Sequence, residues 1–309
     1  MNKIDQYIQA ATRENTRKSY QAAVEHFEVT WGGFLPATSE AICRYLVDHA
    51  ETHAVNTLKQ RLAALAQWHI DQGFPDPTKA PMVKKVLKGI KELHPQQEKR
   101  AKPLQIDQLK ALVQWLDDSH QKAVVKQDRK SQLSTSRNKA LVLLGFWRGF
   151  RSDELCRLAF ENIQVNPGQG LSIFLPRSKG DRSNKGRNYP VPALQSLCPV
   201  NAYLDWLNVS QLQSGPVFRR IDRWGNISEQ AIHPNSVITL LRKLMGQAGI
   251  PDFESYSSHS LRRGFASWAN ESGWDIATLM EYVGWKDVKS AMRYITRSER
   301  FQFGELPNP

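Results

Sequence analysis

The chain is poor in the features that would staple it, load it with metal or embed it in a membrane. Only three cysteines occur in 309 residues, Cys43, Cys156 and Cys198, and they lie far apart. Neither a disulfide framework nor a CxxC metal site can be drawn from them, and they read as small buried hydrophobes. No window approaches the roughly eighteen uninterrupted apolar residues of a membrane-spanning helix. The opening MNKIDQYIQAATRENTRKSY lacks the apolar stretch of a secretory signal, so a cytoplasmic protein is expected. No Asp and Glu cluster has the spacing of a Mg²⁺ site, which gives a two-metal nuclease no support. No internal repeat or low-complexity tract occurs.

Apolar residues make up 40% and charged residues 23% of the sequence, ordinary values for a globular protein. The length exceeds one usual core and suits two domains. Charge is the informative quantity. The net value is +12 with a pI near 9.6, and a cation of this size seeks a polyanion. The excess is three charges over residues 1–100 and nine over the remainder. Basic residues recur along nearly the whole chain instead of gathering on one amphipathic surface helix, which favours nucleic acid over an anionic membrane.

The pattern predicts a mainly α protein with a small β-sheet (α+β) in two domains. Residues 1–93 read as a helical bundle, with turns at Trp31-Gly32-Gly33 and Gly73-Phe74-Pro75-Asp76-Pro77. Leu58, Leu62 and Leu65 share a helix face, with Asn56 or Thr57 as cap. Val83, Val86, Leu87, Ile90 and Leu93 form a second face backed by Lys84, Lys85, Lys88 and Lys91, cations that a solvated helix face would also explain. Residues 94–103, HPQQEKRAKP, have the composition of a linker. Residues 104–309 form the second domain, helical from about Ile106, with a buried helix over Asn138 to Trp147. Residues 171–176 and 188–192 are short strands around a polar loop, and helices dominate after residue 195.

Three segments of the second domain carry chemistry. In RGFRSDELCRL, Arg151 sits where a Gly-containing turn meets a helix start, and Glu154 lies one turn on; an ordinary surface ion pair has the same spacing. In YSSHSLRRGFASW, His259 and Arg262 follow the cap candidates Ser257 and Ser258, presenting an imidazole and a guanidinium on one face. In LMEYVGWKDVKSAMRYI, Trp285 follows a glycine and Tyr294 comes nine residues later.

Together and in this order the segments resemble the tyrosine recombinase, or phage integrase, family. The family pattern is an Arg with an acid three residues on, a hairpin Lys, His-x-x-Arg, a His or Trp after Gly, then Tyr. It maps onto Arg151 and Glu154, Lys179, His259 and Arg262, Trp285 and Tyr294, with 28 residues from Arg151 to Lys179 and 23 from Arg262 to Trp285. Trp285 stands where most members carry His, as in the Cre-like variant, and an indole donates one hydrogen bond without shuttling a proton.

The resemblance implies a two-domain clamp on double-stranded DNA, with an N-terminal core-binding domain and a C-terminal catalytic one. It implies site-specific strand cleavage and rejoining at an inverted-repeat core site by a dimer and tetramer, without metal, ATP or another cofactor. Tyr294 would be the nucleophile, His259 would accept or orient its proton, and Lys179, or Lys185 in the same loop, would protonate the leaving hydroxyl. Tyr282 is the nearest rival for the nucleophile, though its apolar surroundings suit burial. The helix with Asn56, Lys59, Gln60 and Arg61 is expected at the major groove, and Lys84, Lys85, Lys88 and Lys91 at phosphates. The tail, with Phe301 and Phe303, is expected to dock on a neighbouring subunit. A type IB topoisomerase-like enzyme and a catalytically inactive DNA-binding relative are the alternatives.

Overall fold

The computed structural model describes residues 3–95, 101–176, 185–292 and 294; Lys179 and the tail with Phe301 and Phe303 lie outside them. The chain divides into two compact units, Met1–Lys99 and Arg100–Pro309, and each has its own apolar core. Among the described residues no helix is long and apolar enough to cross a membrane.

The first unit is helical: α1 (Lys3–Ala11), α2 (Glu14–Glu25), α3 (Ser39–Asp48), α4 (Val55–Asp71) and α5 (Pro81–Leu93). A π-helical turn, His26–Thr30, extends α2. Thr38 caps α3 by accepting from the Ala41 amide, and Pro81 opens α5, where its missing N–H costs nothing. Leu58, Leu62 and Leu65 are all buried, as their spacing requires. The start of α4 differs from expectation. Neither Asn56 nor Thr57 caps it; the extended Ala54 precedes Val55, and its carbonyl accepts from the amides of Thr57 and Leu58. A backbone acceptor thus serves the first turn and the helix begins earlier. Val83 and Ile90 of α5 reach the core, whereas Leu93 is 78% exposed because the helix ends there, past the edge of the core. Lys84, Lys85, Lys88 and Lys91 are exposed.

The second unit is built around α7 (Arg129–Arg148), which packs against α6 (Ile106–Val125) and two later helices. Its C-terminal half is buried on every side, which explains its apolar run. A five-residue helix, α8 (Ser152–Cys156), leads to an antiparallel sheet in the order β1 (Ile163–Asn166), β2 (Gly170–Leu175), β3 (Arg187–Pro192). Leu171, Ile173 and Leu175 of β2 and Tyr189 and Val191 of β3 point to the core, the period-two pattern of a half-buried sheet.

After α9 (Pro199–Ser210) comes a second hairpin, β4 (Arg219–Ile221) with β5 (Ile227–Ala231). It was not expected among helices; its short, polar strands RRI and ISEQA lack apolar alternation, so pairing alone reveals them. Helices α10 (Pro234–Gln247), α11 (Ser258–Glu271), α12 (Ile276–Val283) and α13 (Val288–Met292) complete the unit.

Helix α11 is held at its start by the Leu104 amide, which donates to the Ser260 carbonyl at 3.1 Å. One turn on, Gly264 lets the two backbones touch: a Cβ there would lie 2.0 Å from the Leu104 carbonyl oxygen. Gly264→Ala is therefore expected to cost about 2 kcal/mol and to lower the Tm by roughly 4–8 °C, measured by thermal unfolding monitored by circular dichroism.

Candidate active site

Three helix termini bring the side chains of the second unit together. The first is the end of α7. Gly149 takes the left-handed conformation (φ +61°) that terminates the helix and favours glycine, and Val283 and the Arg262 stem pack against it. The chain then turns into Arg151, the residue before α8. Glu154 accepts from the Arg151 amide at 2.8 Å and from its guanidinium Nη1 at 2.7 Å. This pair is no ordinary surface bridge, because the Glu154 side chain is only 4% exposed.

The second terminus is the start of α11, where Ser257 is the cap. Its hydroxyl accepts from the His259 amide, and its amide donates to the Ser260 hydroxyl. His259 is exposed. Arg262, one turn in, is 1% exposed; its Nη1 donates to the Gly149 carbonyl at 2.6 Å and lies 4.0 Å from Glu154 Oε2. One buried carboxylate thus serves both arginines. Burial first, and then repulsion from Arg151, holds the Arg262 guanidinium down at about 10, against the pull of Glu154. It remains a cation at neutral pH.

The third terminus is the end of α12. Gly284 (φ +78°) closes the helix, and the Gly284 and Trp285 amides both donate to the Met280 carbonyl at 2.9 Å. Trp285 is 6% exposed and stacks on Tyr294, ring centroids 5.1 Å apart at 29°. The Arg262 guanidinium carbon lies 5.0 Å from the Trp285 ring centre and 5.5 Å from that of Tyr294. The Tyr294 hydroxyl stands 3.3 Å from His259 Nδ1. For that nitrogen to accept the phenolic proton, the imidazole proton must sit on Nε2.

Arg151, Glu154, His259, Arg262, Trp285 and Tyr294 therefore occupy one place. Arg262 Nε and Nη2 and Trp285 Nε1 are buried without a hydrogen-bond partner among the described residues. Buried donors left unpaired cost about 1–3 kcal/mol each, more when charged, and an acceptor bound beside the Tyr294 ring would relieve that cost for these three. Lys185 is exposed just before β3. Tyr282, the rival tyrosine, faces inward and donates to the Trp147 carbonyl at 2.9 Å.

Sequence reading missed Arg148. Its guanidinium, 2% exposed, lies between the rings of Tyr282 and Tyr189, 3.9 and 4.8 Å from their centres. It joins β3 to α12 directly behind the Gly149 turn. Arg187 makes a second link, donating to the Glu281 carbonyl at 2.6 Å. The available signal was a lone Arg closing the apolar run LVLLGFW. In the first unit Lys59 is exposed, whereas Gln60 is bonded to Ser19 and Arg61 to the Tyr45 hydroxyl.

Glu154→Ala would leave Arg262 buried without its counter-charge. A loss of about 3 kcal/mol is expected, measured by urea denaturation, with Glu154→Gln intermediate.

Residues 114–300 match the phage integrase family. The chain is 31% identical over 314 residues to the integrase/recombinase xerD homolog of Selenomonas ruminantium, covering 98% of this chain and 88% of that protein. It is 26% identical over 275 residues to the recombinase cre of Escherichia phage P1, covering 85% and 77%. Among solved structures, the XerH site-specific recombinase bound to palindromic difH substrate in a post-cleavage complex superposes with a TM-score of 0.62 at 17% identity, over 90% of this chain and 75% of that one. A lambda integrase dimer bound to a COC′ core site gives 0.62 at 14% identity, over 99% and 97%.

Proposed function

The chain belongs to the phage integrase family, the site-specific tyrosine recombinases that cleave and rejoin DNA through a tyrosine-linked intermediate, and from that premise we propose that Tyr294 is its nucleophile and that Arg151, His259, Arg262 and Trp285 hold the scissile phosphate. The observation that carries this reading is the set of buried, unpaired donors on Arg262 and Trp285 beside the Tyr294 ring.

A phosphodiester resists attack because its charge repels nucleophiles, and the pentacoordinate transition state places more charge on its non-bridging oxygens. Fixed donors answer that charge without rearranging, each typically contributing about a hundredfold or more in rate. Arg262 and Trp285 offer their unpaired N–H groups, and Arg151, held by Glu154, offers the rest of its fork. The phenol must give up its proton to attack phosphorus, so the nucleophile needs a proton acceptor, and His259 Nδ1 is within reach. The Tyr294 oxygen bonds to phosphorus as the bond to the 5′ oxygen breaks. The departing oxygen takes its proton from a hairpin lysine, Lys179 or Lys185. The 3′-phosphotyrosyl bond conserves the linkage, and attack by another strand's 5′ hydroxyl reverses the step. No ATP or other cofactor enters this balance.

Domain boundaries at residues 93 and 104, a clamp around an inverted-repeat core site, assembly into a dimer and tetramer, and a cytoplasmic, nucleoid-associated location complete the reading. It is supported by the net charge of +12 and the exposed lysine face of α5. Lys84, Lys85, Lys88 and Lys91 would meet phosphates, with Lys59 and Arg61 at the adjoining helix.

On a nicked suicide duplex, wild-type protein is expected to form a covalent adduct that denaturing electrophoresis detects. Tyr294→Phe should form none while binding DNA normally; an adduct surviving in that variant would overturn the assignment. Exchange between two duplexes distinguishes recombination from topoisomerase action, and an adduct at all excludes an inactive binder. Separately, Lys84→Ala with Lys88→Ala is expected to flatten the slope of log affinity against log salt by about 0.9 for each lost phosphate contact. An unchanged slope would remove α5 from the DNA footprint.

A further inference from the structure

The first unit holds a second cluster of basic groups, drawn from three segments distant in sequence. His26 comes from the π-helical turn after α2, His49 and His53 from the end of α3 and the turn beyond it, and Arg61 from α4. The ring centroids of His26 and His49 are 5.0 Å apart, those of His49 and His53 5.2 Å, and those of His26 and His53 5.8 Å. Tyr45, fully buried beneath them, organises the group. Its hydroxyl accepts from Arg61 Nη1 at 3.1 Å and lies 3.0 Å from His26 Nδ1, and its carbonyl accepts from His49 Nδ1 at 2.9 Å. His53 Nδ1 is 2.8 Å from the Thr52 hydroxyl. Every Nδ1 is thus engaged within the unit, and Nε2 is the nitrogen each ring has left for a ligand. All three histidines and Arg61 are half-buried, open to solvent on one side.

Among the described residues no ion pair joins a carboxylate to His26, His49, His53 or Arg61; Glu25, Asp48 and Glu51, their neighbours in sequence, are exposed. Burial first, then Arg61 and His49, push His26 and His53 below the usual imidazole range. Burial pushes the Tyr45 phenol up, so it stays neutral. Asp48, beside His49 in sequence, accepts the Trp31 indole N–H at 2.8 Å. A guanidinium close to two of three clustered imidazoles fits an oxyanion, which the guanidinium fork and protonated rings grip by charge-assisted hydrogen bonds. A metal ion fits poorly: Arg61 repels it, and among the described residues no group of three or more His, Cys, Asp or Glu is placed to hold one.

We propose that His26, His49, His53 and Arg61 bind one phosphate group of the DNA backbone, with the imidazoles taking up protons as it binds. The proposal rests on the reading of this chain as a DNA recombinase and gives the first unit a defined, pH-linked phosphate contact. A bound phosphate raises the imidazole pKa values, so protonation and DNA binding favour each other. DNA affinity rises as pH falls through the imidazole range.

The test is fluorescence anisotropy of the full chain with a labelled mixed-sequence duplex, at about pH 8 and about pH 6. Wild-type affinity is expected to rise about tenfold at the lower pH beyond any gain seen in the double variant His26→Gln, His53→Gln. At the lower pH the double variant's salt slope should be flatter by about 0.9. His120→Gln, in the other unit, should keep the wild-type gain. Melting curves at both pH values check the fold, and His49→Gln replaces the double variant where that one unfolds.

A double variant, or its replacement, that keeps both the full pH gain and the wild-type slope overturns the proposal. So does binding that tightens with Zn²⁺ and with rising pH, which would indicate a cation site. Failure of the wild type to bind any duplex at either pH would instead overturn the DNA reading itself.

Discussion

The second unit depends on keeping one guanidinium charged where water cannot reach it. Arg262 is 1% exposed, and a cation so placed is tolerable only when paired and hydrogen-bonded. Glu154 supplies the charge and the Gly149 carbonyl the hydrogen bond. Both come from the turn that ends α7 and starts α8, so the position of that turn is fixed by the needs of a residue more than a hundred positions later. The same carboxylate orients Arg151. Its two oxygens are shared between the arginines, and Arg262 keeps Nε and Nη2 unpaired among the described residues.

The other groups follow from that anchor. With Arg262 in place, Trp285 and Tyr294 gather over it, their rings 5.0 and 5.5 Å from its guanidinium carbon. Tyr294 is thereby set beside His259 on the same helix start. Arg148 performs a similar service from behind, its charge enclosed by Tyr189 and Tyr282 so that β3 and α12 keep a fixed relation. Preorganisation of this kind is what electrostatic catalysis requires, since donors that must move to meet developing charge lose much of their effect.

Legibility in the sequence followed the range of the interaction. Leu58, Leu62 and Leu65 of α4 were readable because a helix face is a local period. The cap at Ser257 and the glycine turn before Arg151 were readable for the same reason. The start of α4 was misplaced because a backbone carbonyl, which every residue owns, did the work of a capping side chain. The β4–β5 hairpin escaped because its strands are short and polar and gain their order from pairing. Arg148 escaped because its partners, Tyr189 and Tyr282, lie 41 and 134 positions away. The cluster of His26, His49 and His53 escaped likewise, since nothing in the spacing of three histidines reveals that Tyr45 draws them together.

By itself the sequence determined the identities and order of the chemical groups and the local turns that present them, because residue type and short-range periodicity are written directly in the chain. It also determined the charge that suits a polyanionic partner. Tertiary structure alone decided which of those groups share one environment: that Glu154 serves two arginines, that Arg262 and Trp285 hold unpaired donors beside Tyr294, and that Tyr282 turns inward. The physical reason is that burial and charge pairing depend on distance in space, and folding sets that distance with little regard to separation along the chain.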